Sequence, residues 1–381
     1  MALRTLSGKH VDPQKVQRGR GAAINPEGRF EKVEREAFDD GWAHEEGGAE
    51  NENARALKTQ IIEEKAVSII TRNQSPDIPF TQSINPYQGC EHGCIYCYAR
   101  PTHAYRNLSP GVDFETRIFA KINAAELLRK ELSKPGYRCE VISLGANTDP
   151  YQPAERKLNI TRSILEVCAE FNQPVGIVTK NALVERDLDI LAPMAQKHLV
   201  NVFVSVNNLD HEIARRLEPR CVAPQRRIEA IRALAQAGVP VGVLVAPVIP
   251  FLTDDQIETV LETAYEAGAT QAGYVVLRLP YEVKTLFRDW LERHYPLKAK
   301  HVMSRVHELR GGRDNDPNFG SRMRGQGEFA ELLAKRFEIA KRRIGYVSRD
   351  RMLRNASLTT ALFRVPPEIR DKGQMGQMTL F

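Results

Sequence analysis

Apolar positions in the middle of the chain follow two alternating patterns. Short runs rich in valine and isoleucine are apolar at nearly every position, which is typical of strands buried on both faces. These runs are residues 139–145, 174–180, 200–206, 239–248 and 272–279. The stretches between them place apolar residues at the spacing of one helix face, and two of them end in Ala-Gly, a helix-terminating signal. The alternation predicts a parallel sheet with helical crossovers.

The number of these units limits the architecture. A further strand around 81–85 and a helix at 120–134 complete the series. About six βα units are too few for a closed eight-stranded barrel. We therefore predict an α/β fold, either a partial (βα)6 barrel or a doubly wound sheet.

The sequence changes character on both sides of this region. Residues 1–75 carry separate basic and acidic stretches with few core-forming positions, so we expect this segment to be mostly disordered. We assign the partial barrel to 76–281 and a basic helical extension to 282–366. Residues 367–381 are predicted to form a flexible tail.

Composition and targeting signals restrict the class of protein. The chain has 381 residues, of which 42% are hydrophobic, so a wholly disordered protein is excluded. No apolar run approaches the ~20 residues that span a bilayer. The first residues also lack the apolar core of a secretory signal. We expect a cytosolic protein with no membrane partner.

Positive charge is concentrated in one segment. The net charge is +6, and residues 301–354 contain thirteen Lys and Arg against seven Asp and Glu, a difference of +6. The net positive charge of this segment therefore equals that of the whole chain. Such a surface favours a polyanion partner, although a solvated helix face explains it equally well.

Three of the six cysteines are clustered. The stretch "GCEHGCIYCYAR" (89–100) spaces Cys90, Cys94 and Cys97 as C-x3-C-x2-C, just after the first predicted strand. In a reducing compartment, such cysteines are more often ligands than disulfide partners. The other three are scattered and are predicted to be small buried residues: Cys139, Cys168 and Cys221.

Three thiolates in one loop can hold different centres. A structural zinc site needs a fourth ligand, which His92 or His103 could supply. A buried group of unligated thiols is disfavoured in a polar, glycine-flanked loop. A [4Fe–4S] cluster held by three cysteines leaves one iron open, where a substrate or cofactor can bind.

The motif "CEHGCIYC", with Tyr96 immediately before the third cysteine and about six βα units around it, resembles the radical S-adenosylmethionine (SAM) superfamily. In that family the open iron is chelated by the amino and carboxylate groups of SAM. The resemblance implies a [4Fe–4S] cluster, SAM as cofactor, and hydrogen abstraction by a 5′-deoxyadenosyl radical.

Further stretches resemble the spore photoproduct lyase family within this superfamily. They are "SLGANTDPYQPAE" (143–155), "EPRCVAPQRRIEAIRALAQAGVPV" (218–241) and "APVIPFLTD" (246–254). The likeness runs from about Ser83 to Arg278, roughly half of the chain. Neither terminal region is covered by it.

The resemblance assigns roles residue by residue. It implies that Cys90, Cys94 and Cys97 hold the cluster, and that Tyr96 packs by SAM while Tyr98 lies near the substrate. The implied SAM contacts all follow predicted strands, where barrel active sites are built. They are Thr148 and Asp149 for the amino group, Lys180 for the carboxylate, and Ser205 with Asn207 for the ribose.

One position departs from the lyase family. The family's cysteine that returns a hydrogen atom to the product radical corresponds here to Ala146. Cys139 lies seven residues earlier, ~23 Å away along an extended strand, and cannot replace it. Cys221 could approach the site from its loop. The departure argues against a simple copy of thymine-dimer splitting.

The end of the chain resembles a docking peptide. Gln377–Phe381, "QMTLF", is similar to the pentapeptide with which bacterial DNA polymerases and repair proteins bind the β sliding clamp. In such a mode the glutamine bonds at a pocket rim and the Leu-Phe pair fills an apolar cleft. A tail that folds back onto the barrel is the alternative.

The sequence therefore supports one leading hypothesis and two alternatives. We expect a radical SAM enzyme that acts on nucleic acid, in DNA repair or damage tolerance, with an electron donor that the sequence does not specify. A radical SAM enzyme modifying RNA or a small molecule is the second possibility. A clamp-associated iron–sulfur protein with a structural or redox-sensing cluster is the third.

Overall fold

The computed structural model of the chain describes residues 19–30, 57–346 and 358–367. Ten strands lie within these residues: β1 (Gln60–Glu64), β2 (Thr71–Arg72), β3 (Gln82–Ile84), β4 (Tyr87–Gln88), β5 (Arg117–Lys121), β6 (Ile142–Leu144), β7 (Val175–Thr179), β8 (Val200–Ser205), β9 (Val241–Val248) and β10 (Gln271–Val276). None of the described helices is both long enough and apolar enough to cross a membrane.

Helices cover the sheet and continue beyond it. The α-helices are α1 (Val112–Thr116), α2 (Ala124–Leu132), α3 (Glu155–Leu158), α4 (Ile160–Phe171), α5 (Leu188–Gln196), α6 (His211–Leu217), α7 (Pro224–Gln236), α8 (Ile257–Glu266), α9 (Val283–His294), α10 (Pro296–Leu309), α11 (Ser321–Arg324) and α12 (Glu328–Ile344).

The main sheet has seven strands in the order β10-β9-β8-β7-β6-β3-β2. All neighbours are parallel except β2, which runs antiparallel to β3. No strand pairing joins β2 to β10 in the described part of the chain, so the sheet stays open. The six predicted parallel strands and the partial barrel are thus confirmed, with strand ends that differ from the prediction by at most three residues.

A second, small sheet was not predicted. Its order is β1-β5-β4, and it lies beside the loop that carries the clustered cysteines. The helix predicted from residue 120 begins only at Ala124, because Arg117–Lys121 form β5. Ile118 and Phe119 favour a strand, and both are buried there.

Two parts of the predicted disordered segment are structured. Residues 57–75 contribute β1 and β2. In 19–30, Arg20 and Ala22 are buried against the rest of the molecule. The remainder of the predicted segment, 1–18 and 31–56, lies outside the described residues.

The two open edges of the main sheet are bridged by side chains. Asp77 follows β2, and its carboxylate accepts hydrogen bonds from the backbone N–H of Gly320 (2.6 Å) and from the guanidinium of Arg322. Arg322 belongs to α11, which packs on β10. We call this bridge between the two edges the Asp77 clasp.

The helical extension packs beneath the cysteine loop. Phe287 and Trp290 of α9 and Val302 of α10 belong to the same apolar cluster as Ile95 and Tyr96 of that loop. Each of these side chains is nearly or fully buried. The extension therefore supports the loop and shares its core.

Candidate active site

The clustered cysteines lie in a loop, residues 89–97, that follows β4 and precedes a 3-10 turn at Arg100–Arg106. Cys90 and Cys94 are buried, and Cys97 is partly exposed. The loop reverses at Gly93, whose φ of +67° favours glycine. A side chain at this position would also come within 2.7 Å of the Glu115 carboxylate. The loop geometry is therefore fixed by backbone as well as by side chains.

One buried arginine holds the turn of this loop. The Arg100 side chain donates to the carbonyl oxygens of Cys94 (Nε, 2.9 Å) and Gly93 (Nη2, 3.2 Å). The same Nη2 pairs with Glu115 Oε1 at 2.6 Å, and both side chains are fully buried. A buried ion pair with hydrogen bonds to the backbone fixes the positions of the groups it joins.

The N-terminal segment 19–30 closes over the same carboxylate. Glu115 accepts hydrogen bonds from the backbone N–H groups of Gly21 (2.9 Å) and Ala22 (2.8 Å). Arg20 donates to the Glu115 carbonyl at 2.7 Å. The fit is so close that a Cβ on Gly21 would lie 1.8 Å from the Gly93 carbonyl oxygen.

The thiols of the loop are close enough to influence one another. Burial, followed by the charges of Cys94 and Cys90, raises the pKa of Cys97 to about 12. The hydrogen bond with the Cys221 thiol, in contrast, lowers the pKa of Cys94. No group of three or more described side chains is placed to hold a single metal ion. Cysteine thiolates are the ligands of iron–sulfur clusters, so the residue types of this loop suit a [4Fe–4S] cluster.

The histidines considered as a fourth zinc ligand are engaged elsewhere. His103 is buried between Phe114 and Phe119, with Nε2 3.0 Å from the Arg117 carbonyl oxygen. Burial lowers the pKa of His103 to about 4. His92 Nδ1 lies 3.4 Å from the Asp149 carboxylate, and its Nε2 lies 3.2 Å from an amide nitrogen of Asn181. His103 Nδ1 has no hydrogen-bond partner among the described residues, but its ring is fixed between the two phenylalanines, and both nitrogens of His92 face protein groups. These contacts disfavour a zinc site.

Asp149 and Thr148 connect strand ends to the cysteine loop. Asp149 accepts from Thr179 Oγ1 (2.8 Å), from Lys180 N (2.7 Å) and from the backbone N–H of Tyr151 (2.9 Å). Burial opposes its ionisation, but the charge and hydrogen bond of His92 outweigh it and lower the pKa of Asp149 to about 2. Thr148 Oγ1 donates to the Tyr87 carbonyl at 2.7 Å. Both side chains are thus committed to protein partners.

Lys180 follows β7 and points its charge toward the cysteine loop. Burial opposes its ionisation, yet the charges of Cys94, Glu218 and Cys221 hold the pKa of its ammonium above the ordinary value. Its side chain forms no ion pair or hydrogen bond within the described residues. It remains available for a ligand carboxylate.

Ser205 ends β8, and Asn207 lies just beyond it. Both are buried. Ser205 Oγ has no hydrogen bond to any described residue. Asn207 Oδ1 accepts from Asn208 (2.8 Å), whereas Asn207 Nδ2 is a buried donor without a partner in the described chain. Because buried amides rarely lack an acceptor, this orphan donor fits a site for a polar cofactor group.

A charged network that the sequence did not reveal surrounds Tyr96. Glu218 Oε1 accepts from the Tyr96 hydroxyl, and Glu218 Oε2 pairs with the Arg227 guanidinium. All three residues are buried. Arg227 also donates to the Ser205 carbonyl at 3.1 Å. The segment "EPRCVAPQRR" carried the resemblance, but nothing in its charge pattern distinguishes a buried pair from surface charges.

The scattered cysteines have different surroundings. Cys221 Sγ lies 3.8 Å from Cys94 Sγ, so the expected approach of Cys221 to the site is observed. Cys168 is fully buried in the main core, as predicted. Cys139 was expected to lie on the strand, but it precedes β6. Its Sγ is 3.5 Å from Gln173 Oε1.

Tyr98 lies at the open side of the cysteine loop. The residue is 48% exposed, and its hydroxyl donates to the Ala146 carbonyl. Ala146 follows β6. The ring therefore stands where a ligand could contact it between the cysteine loop and the strand ends.

A family model places most of this site in a known superfamily. The model described as "Radical SAM superfamily" matches residues 84–264. An uncharacterized protein of Mycobacterium tuberculosis is 39% identical over 261 residues, which cover 68% of this chain and 75% of that protein. An uncharacterized protein of Methanocaldococcus jannaschii is 27% identical over 242 residues, covering 63% and 85% respectively.

Solved structures show the same fold. A mutant of spore photoproduct lyase superposes with a TM-score of 0.53 at 16% identity, covering 75% of this chain and 79% of that chain. Spore photoproduct lyase complexed with dinucleoside spore photoproduct gives a TM-score of 0.51 with the same identity and coverage. At this identity the likeness concerns the fold.

Proposed function

The chain belongs to the radical SAM superfamily, and from this premise we propose that Cys90, Cys94 and Cys97 hold a [4Fe–4S] cluster beside a SAM site. Cluster and SAM, when bound, would supply a 5′-deoxyadenosyl radical that abstracts a hydrogen atom from the substrate. The carrying observation is that the loop thiols, the free charge of Lys180 and the orphan amide of Asn207 converge at the carboxyl ends of adjacent strands.

The chain's own residues would bind and orient the cofactor. Lys180 would pair with the SAM carboxylate, since it has no acid partner of its own within the described residues. Ser205 and Asn207 would donate to the ribose hydroxyls. Tyr96, whose hydroxyl donates to Glu218, would form the boundary between the site and the apolar cluster to which its ring belongs. Exclusion of water protects a reactive intermediate from side reactions.

Thr148 and Asp149 receive a revised role in this proposal. Their side chains already bond to β4, to the end of β7 and to His92. We propose that they position the loop and the strand ends and leave direct contact with the SAM amino group to other atoms.

The substrate we propose is nucleic acid, with DNA first. The basic segment 301–354 and the exposed ring of Tyr98 support a polyanion that presents bases. Spore photoproduct lyase, which shares the fold, has been seen with a dinucleoside spore photoproduct. Since Ala146 stands where that family returns hydrogen through cysteine, we propose a different hydrogen source here.

We also propose docking on the β sliding clamp through Gln377–Phe381, which lies outside the described residues. The tail's glutamine and its terminal Leu-Phe pair are the chemical basis of this proposal. Docking would bring the enzyme to DNA.

The decisive experiment is anaerobic reconstitution with iron and sulfide, followed by chemical reduction with SAM present. We expect release of 5′-deoxyadenosine, and we expect Cys94→Ala to lose both the cluster absorbance and the product. Cys139→Ser, outside the site, is the matched control and should retain both. A cluster whose spectrum and redox state ignore SAM would instead support a structural or redox-sensing cluster.

The same assay with ultraviolet-damaged DNA, undamaged DNA and RNA addresses the substrate. Stimulation by a nucleic acid supports the proposed class. Product formation that no nucleic acid alters would favour a small-molecule substrate.

A further inference from the structure

The rim of the site beside Tyr98 carries an arginine without a carboxylate partner. Arg278 follows β10, and its guanidinium carbon lies 5.7 Å from the centre of the Tyr98 ring. Its hydrogen bond within the described residues runs to Met323 Sδ at 3.5 Å. Its Nε is buried and lacks a partner there. A charged donor therefore faces this rim without an acceptor.

The nearest carboxylates are bound elsewhere. Asp77 is occupied by Arg322 and Gly320 in the Asp77 clasp. Asp316 accepts from the hydroxyl of Ser321. Neither carboxylate forms an ion pair with Arg278 in the described structure. The charge of Arg278 is thus not neutralised locally.

One more arginine adds positive charge beside Arg278. Arg310 is buried and bonds only to backbone carbonyls among the described residues, including those of Val276 and Leu277, and its Nε has no partner there. Burial, and then the charge of Arg322, lower the pKa of Arg278.

The local balance favours an anion. The three guanidinium groups of Arg278, Arg310 and Arg322 stand against the two carboxylates of Asp77 and Asp316. Crowded, partly buried cations are costly unless a counter-charge is present. A phosphate oxygen supplies that charge and accepts the guanidinium hydrogen bonds.

We propose that Arg278 forms a phosphodiester subsite and that the exposed face of Tyr98 stacks a base of the same strand. This deepens the proposed function and rests on its nucleic-acid substrate. Tyr98 adjoins Cys97, so the stacked base lies next to the cluster loop. A base must be free of a double helix to stack on a protein ring, so the ligand is a single strand or a flipped nucleotide.

Binding can be measured without turnover. The reconstituted full-length protein, without SAM or reductant, is titrated into a fluorescein-labelled single-stranded oligothymidylate, and fluorescence anisotropy is followed at several salt concentrations. We expect Arg278→Gln to weaken binding about tenfold and to reduce the salt slope by about 1.

The control is a charge change elsewhere. Arg232 is exposed on α7 and has no ion pair in the described structure, so Arg232→Gln should bind as the wild type. Thermal unfolding of each variant verifies that folding is retained. Arg278→Lys, which keeps the charge but loses the planar fork, should bind more tightly than Arg278→Gln.

A neutral backbone provides the sharper test. A strand with one methylphosphonate linkage lacks one phosphate charge. The methylphosphonate is placed at each linkage in turn. At the linkage that contacts Arg278, the wild type should bind the modified strand more weakly than the unmodified one. Arg278→Gln should bind both strands equally. Equal binding of all strands by wild type and Arg278→Gln would overturn the subsite. If binding of an RNA strand depends on Arg278 in the same way, the phosphodiester subsite is supported for both DNA and RNA.

This test is independent of catalysis. Oligonucleotide binding that requires Arg278, with no 5′-deoxyadenosine released, would support the subsite and contradict the proposed enzyme. If 5′-deoxyadenosine is released and Arg278→Gln binds the oligonucleotide as the wild type does, the proposed enzyme is supported and the subsite is contradicted.

Discussion

At the scale of single residues, the strand-end rule selected Lys180 and Ser205 as candidates. The charges of Cys94 and Cys221 act on Lys180, and the Ser205 carbonyl accepts from Arg227, the partner of Glu218. Glu218 and Arg227 could not be found in this way. Nine positions apart in a polar stretch, they resemble surface charges, and only their burial together makes them a pair. Burial is a tertiary property that charge spacing does not encode.

The contact between Cys94 and Cys221 leads to a prediction for the iron-free protein. Their Sγ atoms are 3.8 Å apart, and a small approach would allow a disulfide. Diamide, which takes up the two hydrogen atoms released, should link them. Peptide mass mapping should find the cross-linked pair two hydrogens lighter, and the oxidised protein should take up less iron.

Cys221→Ser provides the control for this cross-link. In that variant, iron uptake should survive the same diamide treatment, because Cys94 keeps its thiol. Cys139, distant in its own pocket, should remain free in both proteins. Recovery of Cys94 as an alkylated free thiol after oxidation of the wild type would contradict the prediction.

At the scale of elements, Asp149 joins β6, β7 and the cysteine loop. Its position after a strand predicted a cofactor contact, and the structure shows why that is insufficient evidence. The carboxylate oxygens accept from Thr179, Lys180 N and Tyr151, and His92 lies beside them. Residues at strand ends often bind ligands, but some of them, such as Asp149, hold the neighbouring strand ends and loops in position.

A pH dependence of stability follows from this carboxylate. The pKa of Asp149 is about 2 in the fold against 3.8 ordinarily. The unfolded chain therefore binds the proton first as pH falls. The stabilisation is complete above about pH 4 and is lost toward pH 2, a change of about 2 kcal/mol.

Urea unfolding at a series of pH values checks this dependence. Asp149→Asn should be less stable near neutral pH and should lose less stability on acidification than the wild type. Asp255→Asn, an exposed carboxylate in a surface turn, is the control and should follow the wild-type curve. Parallel acid profiles for Asp149→Asn and the wild type would contradict the assignment.

The elements also show what patterning can deliver. The strands of the main sheet were predicted because both of their faces are buried, which leaves long apolar runs. The two-residue β4 gives too short a signal for any pattern. Residues 19–30 pack through backbone N–H groups on Glu115 as well as through the small side chain of Ala22, so hydrophobicity alone could not identify them.

At the scale of the whole molecule, the helical extension was predicted as helical and basic, but its second role was not. Phe287 and Trp290 pack under Ile95 of the cysteine loop. Helix periodicity identifies an apolar face without naming what it covers. The extension therefore combines support of the site with the arginines of its rim.

The proposed clamp docking belongs to this scale as well. Deletion of Met378–Phe381 should abolish binding of the full-length protein to purified β sliding clamp in surface plasmon resonance, because it removes the terminal apolar pair. Met375→Ala, upstream of the peptide, should bind as the wild type. Undiminished binding of the truncated protein would contradict the docking proposal.

The Asp77 clasp has a consequence for the topology of the ligand. A closed barrel admits a polymer only by one of its ends. Here the loop after β2 meets the α11 segment, which packs on β10, through an ion pair and a backbone hydrogen bond, so this contact can part without breaking a strand ladder. The nucleic-acid strand that we propose as ligand would then enter from the side. On this proposal a covalently closed circle, which has no end to thread, would bind as well as a linear fragment.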